Sequence, residues 1–223
     1  MLRFASALVA LLWSALASAQ ATPTVGQWIA VFEEVRQHAL FSSLNVVYAK
    51  APAANIGYTP VGVIQRSGVD CVVVISEGDN PKMTQMMALA GTSATTHAFM
   101  QTVAAHEFGH CFRMRSKHLS IEMWERVEAA TPDSQERLAL EKLLSIEEAY
   151  ADAYAFVYLQ ATHPDLFADV LQAMHTLRHV PAFATPFYQV EPLYEQLSRR
   201  GLNVALSLHD QVEAVMVQAK FSP

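Results

Sequence analysis

Residues 104–111 read AAHEFGHC. A helix through this stretch stacks His106 and His110, four residues apart, on one face. Glu107 is turned about 100° from His106, beside any ion the two imidazoles hold. These are the parts of a hydrolytic zinc centre. Such a centre takes three protein ligands and leaves one position open. Glu107 then has the place of a general base, able to take a proton from water and return it to a leaving amine. The chain has nine histidines in 223 residues. At that frequency a chance HExxH arises in roughly 2% of chains, so the motif needs a third ligand to carry weight.

The metzincin continuation would need glycine at 113 and histidine at 116, where this chain has Arg113 and Ser116. His118 is out of step by two. A better third ligand lies downstream in SIEEAYADAYAF, where Glu148 and Asp152 fall on one helical face. Glu148 completes a His₂Glu set. Asp152 is placed to hydrogen-bond the far nitrogen of a ligand histidine and fix its tautomer. Glu147 has no acid four residues on and points elsewhere.

HEFGH followed by EAYAD resembles the HExxH…ExxxD signature of the gluzincin metallopeptidases. The run EAYADAYAF is similar to the E-x-x-A-D helix of the HtpX and CAAX-prenyl-protease group. The resemblance covers about residues 96–160. It implies a zincin-like fold and one zinc ion per chain, bound by His106, His110 and Glu148. It also implies Glu107 as the general base and Asp152 behind the ligands. Gluzincins usually add a histidine or tyrosine downstream that stabilises the oxyanion. His179 and Tyr188 are the candidates, and the sequence does not choose between them. Unlike that membrane-embedded group, this chain has no apolar span beyond its N-terminus, so it resembles a soluble, secreted relative.

The elements that must position these residues are legible in outline. TVGQWIAVFEEVRQHALFSSL has apolar residues at helical spacing (Trp28, Val31, Phe32, Val35, Leu40). From Asn45 to Glu77 the chain is rich in Val, Ile and Tyr, broken by Pro, Gly and Asn, which predicts two to three strands. GDNPKMTQMMALAGTS reads as a loop with at most a short Met-rich helical turn. A site helix is predicted over about 96–115, followed by a helix in LSIEMWERVEAA. TPDS predicts a restart, with Thr131 as N-cap and Pro132 at the first helical position. A long helix then runs to HPD, Pro164 opens another, TPFYQVEP is a loop, and two helices end the chain. The fold class is α+β, a small N-terminal sheet followed by a mostly helical body. Gly109, inside the site helix, costs about 1 kcal/mol relative to alanine. Its missing side chain would let the sheet or another helix approach closely.

In zincins an edge strand precedes the site helix and pairs with peptide substrates. By position that strand is 70–77, DCVVVISE, which would bind a peptide through its backbone. Its continuous apolar run suits a buried central strand equally well. HTLRH places His175 and His179 four residues apart. A second metal pair is conceivable there, but with no carboxylate near in sequence the simpler reading is histidines capping a helix C-terminus.

Hydrophobic residues make up 52% and charged residues 16% of the chain, a folded composition. A net charge of −6 without a basic run excludes a general nucleic-acid binder. Residues 1–19 have Arg3, an apolar run and Ala17-Ser18-Ala19 before Gln20, the pattern of a cleaved secretory signal. The alternative, an uncleaved anchor, has a short apolar run for a spanning helix. The expectation is an exported protein, periplasmic or extracellular, with one domain over 20–223 and no stable membrane insertion after cleavage. In an oxidising compartment Cys71 and Cys111 would pair, although two buried thiols remain open. Together these features predict a secreted zinc metallopeptidase acting on peptide or protein substrates. The rival reading keeps the fold and the zinc but drops catalysis, leaving a binding or chaperone-like module.

Overall fold

The computed structural model describes residues 22–57, 59–183, 190–200, 202–203 and 205–221. The segment read as a signal peptide lies outside them. The first helix, α1 (Val25–Arg36), opens with a capping box. The Thr24 hydroxyl accepts from the Gln27 amide, and the Gln27 side chain accepts from the Thr24 amide. Its apolar face, Trp28, Val31, Phe32 and Val35, is buried.

Three strands follow, β1 (Val46–Pro52), β2 (Val61–Ile64) and β3 (Cys71–Glu77). The sheet order is β1-β3-β2, with β1 parallel and β2 antiparallel to β3. This decides between the two readings of 70–77 in favour of the central strand, and a peptide has no free edge to join there. β3 is central, both its edges are hydrogen-bonded, and both its faces are covered. That explains why VVVI is apolar without alternation. Among the described residues β1 and β2 each keep one edge without a strand partner, and β2 is an outer strand that packs against α3.

The segment read as a loop with a short Met-rich helical turn holds a two-turn helix, α2 (Pro81–Ala88). Asn80 caps it by accepting from the Met83 amide, Pro81 sits in the first turn, and Met83, Met86 and Met87 are buried. The site helix is α3 (Ser93–Arg115), buried without interruption from Ala98 to Phe112. Such a helix needs neighbours on all sides. It packs against α1, β2 and β3, and also against the later helices α5 (Gln135–Thr162) and α6 (Phe167–His179). Phe108 fixes one side, with its ring 5.3 Å from that of Phe32 and 5.4 Å from that of Phe41.

Between these helices lies α4 (Ile121–Ala129). The long α5 begins one turn later than TPDS suggests. Asp133 adopts a left-handed backbone, φ 60°, which breaks any helix begun at Pro132. Ser134 is the cap, accepting from the Arg137 amide. α7 (Glu191–Arg200) and α8 (Leu208–Gln218) complete the helical body. Among the described residues no helix is long and apolar enough to cross a membrane.

A disulfide joins Cys71, the first residue of β3, to Cys111 on α3, with the Cα atoms 5.3 Å apart. It closes a loop of 40 residues. On chain entropy alone that constraint is worth about 4 kcal/mol. It also ties the sheet to α3 at the residue after His110.

Candidate metal centre

α3 and α5 cross where Gly109 meets Ala151. A Cβ on Gly109 would lie 2.7 Å from the Ala151 Cα and 3.2 Å from both the Ala151 carbonyl oxygen and the Tyr154 Cβ. The absent side chain lets the two backbones touch, and it is α5 rather than the sheet that comes close. This contact sets His106 and His110 opposite Glu148 and Asp152. Arg113, one turn further along α3, locks the same pair of helices. Its Nε and Nη2 donate to both oxygens of Glu147 at 2.6 and 2.7 Å, and its guanidinium lies 3.9 Å over the Tyr150 ring. Glu147 is thereby occupied and turned away from the histidines.

His106, His110 and Glu148 are all buried and converge. His106 Nε2 lies 3.1 Å from His110 Nε2 and 3.5 Å from Glu148 Oε2, and His110 Nε2 lies 3.6 Å from Glu148 Oε1. A tetrahedral zinc with bonds near 2.0 Å separates its ligands by about 3.3 Å. The triangle therefore has the dimensions of three corners of that tetrahedron. Two further observations fit a cation at its centre. Glu148 Oε2 is buried without a hydrogen-bond partner. The His106 tautomer is also set, because Nδ1–H donates to Asp152 Oδ1 at 2.8 Å and leaves the Nε2 lone pair facing the triangle. His106, His110 and Glu148 are positioned to hold a metal ion.

Asp152 is fully buried and fully satisfied. Besides His106 it accepts from Arg178 Nη2 at 2.5 Å and from the Tyr194 hydroxyl at 3.1 Å. Burial alone would raise its pKa, but Arg178 and His106 outweigh it and hold the carboxyl well below the usual range. Burial would lower His106, yet the bond to Asp152 leaves it raised. His110, which has no such partner, is pushed well below its ordinary value by burial and by His106 and Arg178. Burial raises Glu148. It likewise raises Tyr194 well above a normal tyrosine, with Asp152 adding to the effect.

The cleft over the ligands has a volume of about 310 Å³. Its floor is His106, Glu107, His110 and Glu148. One wall is β2 with the preceding Thr59, and the other is formed by Met114, Leu119 and Trp124. Glu107 is only 8% exposed, and burial, with Glu148 and Asp152 nearby, pushes its carboxyl up to about 7. A carboxyl poised near neutrality can both accept and donate a proton.

Not every predicted site residue is here. His179 is at the last turn of α6, exposed, with its Nε2 3.4 Å from Glu191 Oε1 on α7. It lines a different cavity and does not reach the cleft. Tyr188 lies outside the described residues. His97 pairs with Glu34 of α1 at 3.1 Å on the surface. Two residues of the centre, Arg178 and Tyr194, escape the motif reading. A signal for Arg178 exists, since it continues the buried stripe Leu171, Met174 on α6. A charge in such a stripe needs a buried partner. Tyr194 carries no comparable signal. Comparison with protein-family models, curated proteins and solved structures finds no match.

Proposed function

We propose that this chain is an exported zinc-dependent peptidase of zincin-like architecture, with His106, His110 and Glu148 as metal ligands and Glu107 as the general base. The observation that carries the reading is the joint geometry of the centre. Three ligand atoms stand at tetrahedral spacing, one ligand is oriented by Asp152, and the buried Glu107 carboxyl lines the same cleft. Zinc held there supplies Lewis-acid polarisation of a scissile carbonyl and acidification of water.

The chain's own residues supply the rest. Glu107 takes the proton of the attacking water and delivers it to the nitrogen of the leaving amine. Asp152 keeps His106 in one tautomer, and Arg178 and Tyr194 keep Asp152 ionised and fixed. The free edge of β2 borders the cleft, so an extended peptide can add to the sheet there rather than at β3. Met114, Leu119 and Trp124 offer apolar contact to its side chains. The disulfide and the N-terminal sequence pattern support export to an oxidising compartment.

A non-catalytic metal module has no use for a buried carboxyl at position 107, which costs stability wherever it is ionised. The test is Glu107→Gln. This variant should bind one zinc at the centre as wild type does and lose peptide cleavage. Cleavage at the wild-type rate would overturn the mechanism.

A further inference from the structure

We propose that His175, His179 and Glu191 form a second divalent-metal site, a clip between α6 and α7 that is separate from the centre on α3 and α5. The sequence offers only the histidine pair. The fold adds the carboxylate, since α7 brings Glu191 alongside the last turn of α6. One ligand atom from each of the three residues lies within 4.8 Å of the others. His179 Nε2 and Glu191 Oε1, at 3.4 Å, already have the separation of two ligands on one tetrahedral ion.

The histidines are held for the task. His179 Nδ1–H donates to the His175 carbonyl at 2.9 Å, which caps the helix and fixes the tautomer with Nε2 free and facing Glu191. Capping and metal binding therefore use opposite nitrogens of one ring. The His175 ring lies 4.6 Å from that of His179 and 4.9 Å from that of Tyr194, and Tyr194 limits its rotation from the α7 side. The three residues line a pocket of about 650 Å³, open enough for an ion to enter with its water. Two imidazoles and one carboxylate suit zinc among the common divalent ions, and not the harder magnesium or calcium.

The clip would act on the first centre through the two residues beside it. Arg178 precedes His179 on α6, Tyr194 is one turn along α7 from Glu191, and both bond Asp152. An ion joining α6 to α7 would hold that pair against the carboxylate that orients His106. The more exposed clip should bind more weakly than the buried centre.

Zinc uptake by the chelated full chain, followed by competition with a chromophoric chelator, tests this. Wild type should take up two zinc ions in a tight and a weaker step. A His175→Ala/His179→Ala variant should keep the tight step and lose the weaker one. Glu191→Gln, a milder change, should weaken the same step if the double variant does not fold. Glu148→Ala should spare the weaker step. A single wild-type equivalent that survives in both clip variants, or two undiminished steps in both, would overturn the proposal. Uptake is read without any peptide, so failure here is distinct from failure of the catalytic reading.

Discussion

The Cα of Ala151 on α5 stands 2.7 Å from where a Cβ at Gly109 of α3 would be. The obstacle is backbone, so no rotamer change relieves it. Gly109→Ala gains about 1 kcal/mol of helix propensity. Overpacking of this kind typically costs about 1–3 kcal/mol. The two helices must part, and His106 and His110 move away from Glu148. Urea denaturation and zinc titration should show a less stable protein with weaker zinc binding. A variant as stable as wild type with unchanged zinc affinity would show that the close contact does not set the site.

Asp152→Asn keeps the shape at 152 and removes the charge. Arg178 is then a buried cation without its counter-ion, and breaking such a pair costs about 3–5 kcal/mol. His106 also loses the acceptor that sets its tautomer, and zinc affinity should fall about 10–100-fold. Thermal denaturation with and without zinc reads both effects. Equal affinity in the variant would leave Asp152 a structural residue only.

Glu107 makes stability depend on pH in a stated direction. Its folded pKa of about 7 lies above the ordinary 4.5, so the folded state holds the proton more tightly than the unfolded state. The penalty is absent below about pH 4.5, grows between 4.5 and 7, and is complete above 7, where it reaches about 3 kcal/mol. In chelated protein, Glu107→Gln should be more stable than wild type at pH 8 and equal to it near pH 4.5. Parallel stability profiles across that range would contradict the assigned environment.

The Cys71–Cys111 bond should be worth about 2–4 kcal/mol, because it constrains a 40-residue loop in the unfolded chain. A Cys71→Ala/Cys111→Ala protein should show a lowered urea midpoint and a steeper slope at the transition, because the unbridged chain unfolds to a more expanded state. If reduction leaves the midpoint of wild type unchanged, the bond is not a stabilising element.

Local pattern carried much of this structure into the sequence. The i, i+4 spacing of His106 with His110 and of Glu148 with Asp152 is a property of one helix each, so it is readable residue by residue. The helical majority, the strand-forming stretch from 45 to 77 and the glycine gap at 109 are local in the same sense. The sheet order is not. Whether 70–77 is edge or centre depends on what pairs with it, and its apolar run fits both. The Arg178 and Tyr194 bonds to Asp152 join residues 26 and 42 positions apart, and the approach of Glu191 to His179 needs α7 folded back on α6. No periodicity encodes those meetings. The late start of α5 turned on the backbone of one residue, Asp133, whose left-handed conformation competes with the helix that Pro132 would otherwise open.

The most direct measurement is mass-spectrometric profiling of a mixed peptide library incubated with wild type, chelated wild type and Glu107→Gln. Zinc-loaded wild type should generate new peptide termini. Chelation should abolish them, restored zinc should return them, and Glu107→Gln should make none while holding zinc at the centre. An intact library after incubation with wild type carrying zinc on His106, His110 and Glu148 would contradict the account.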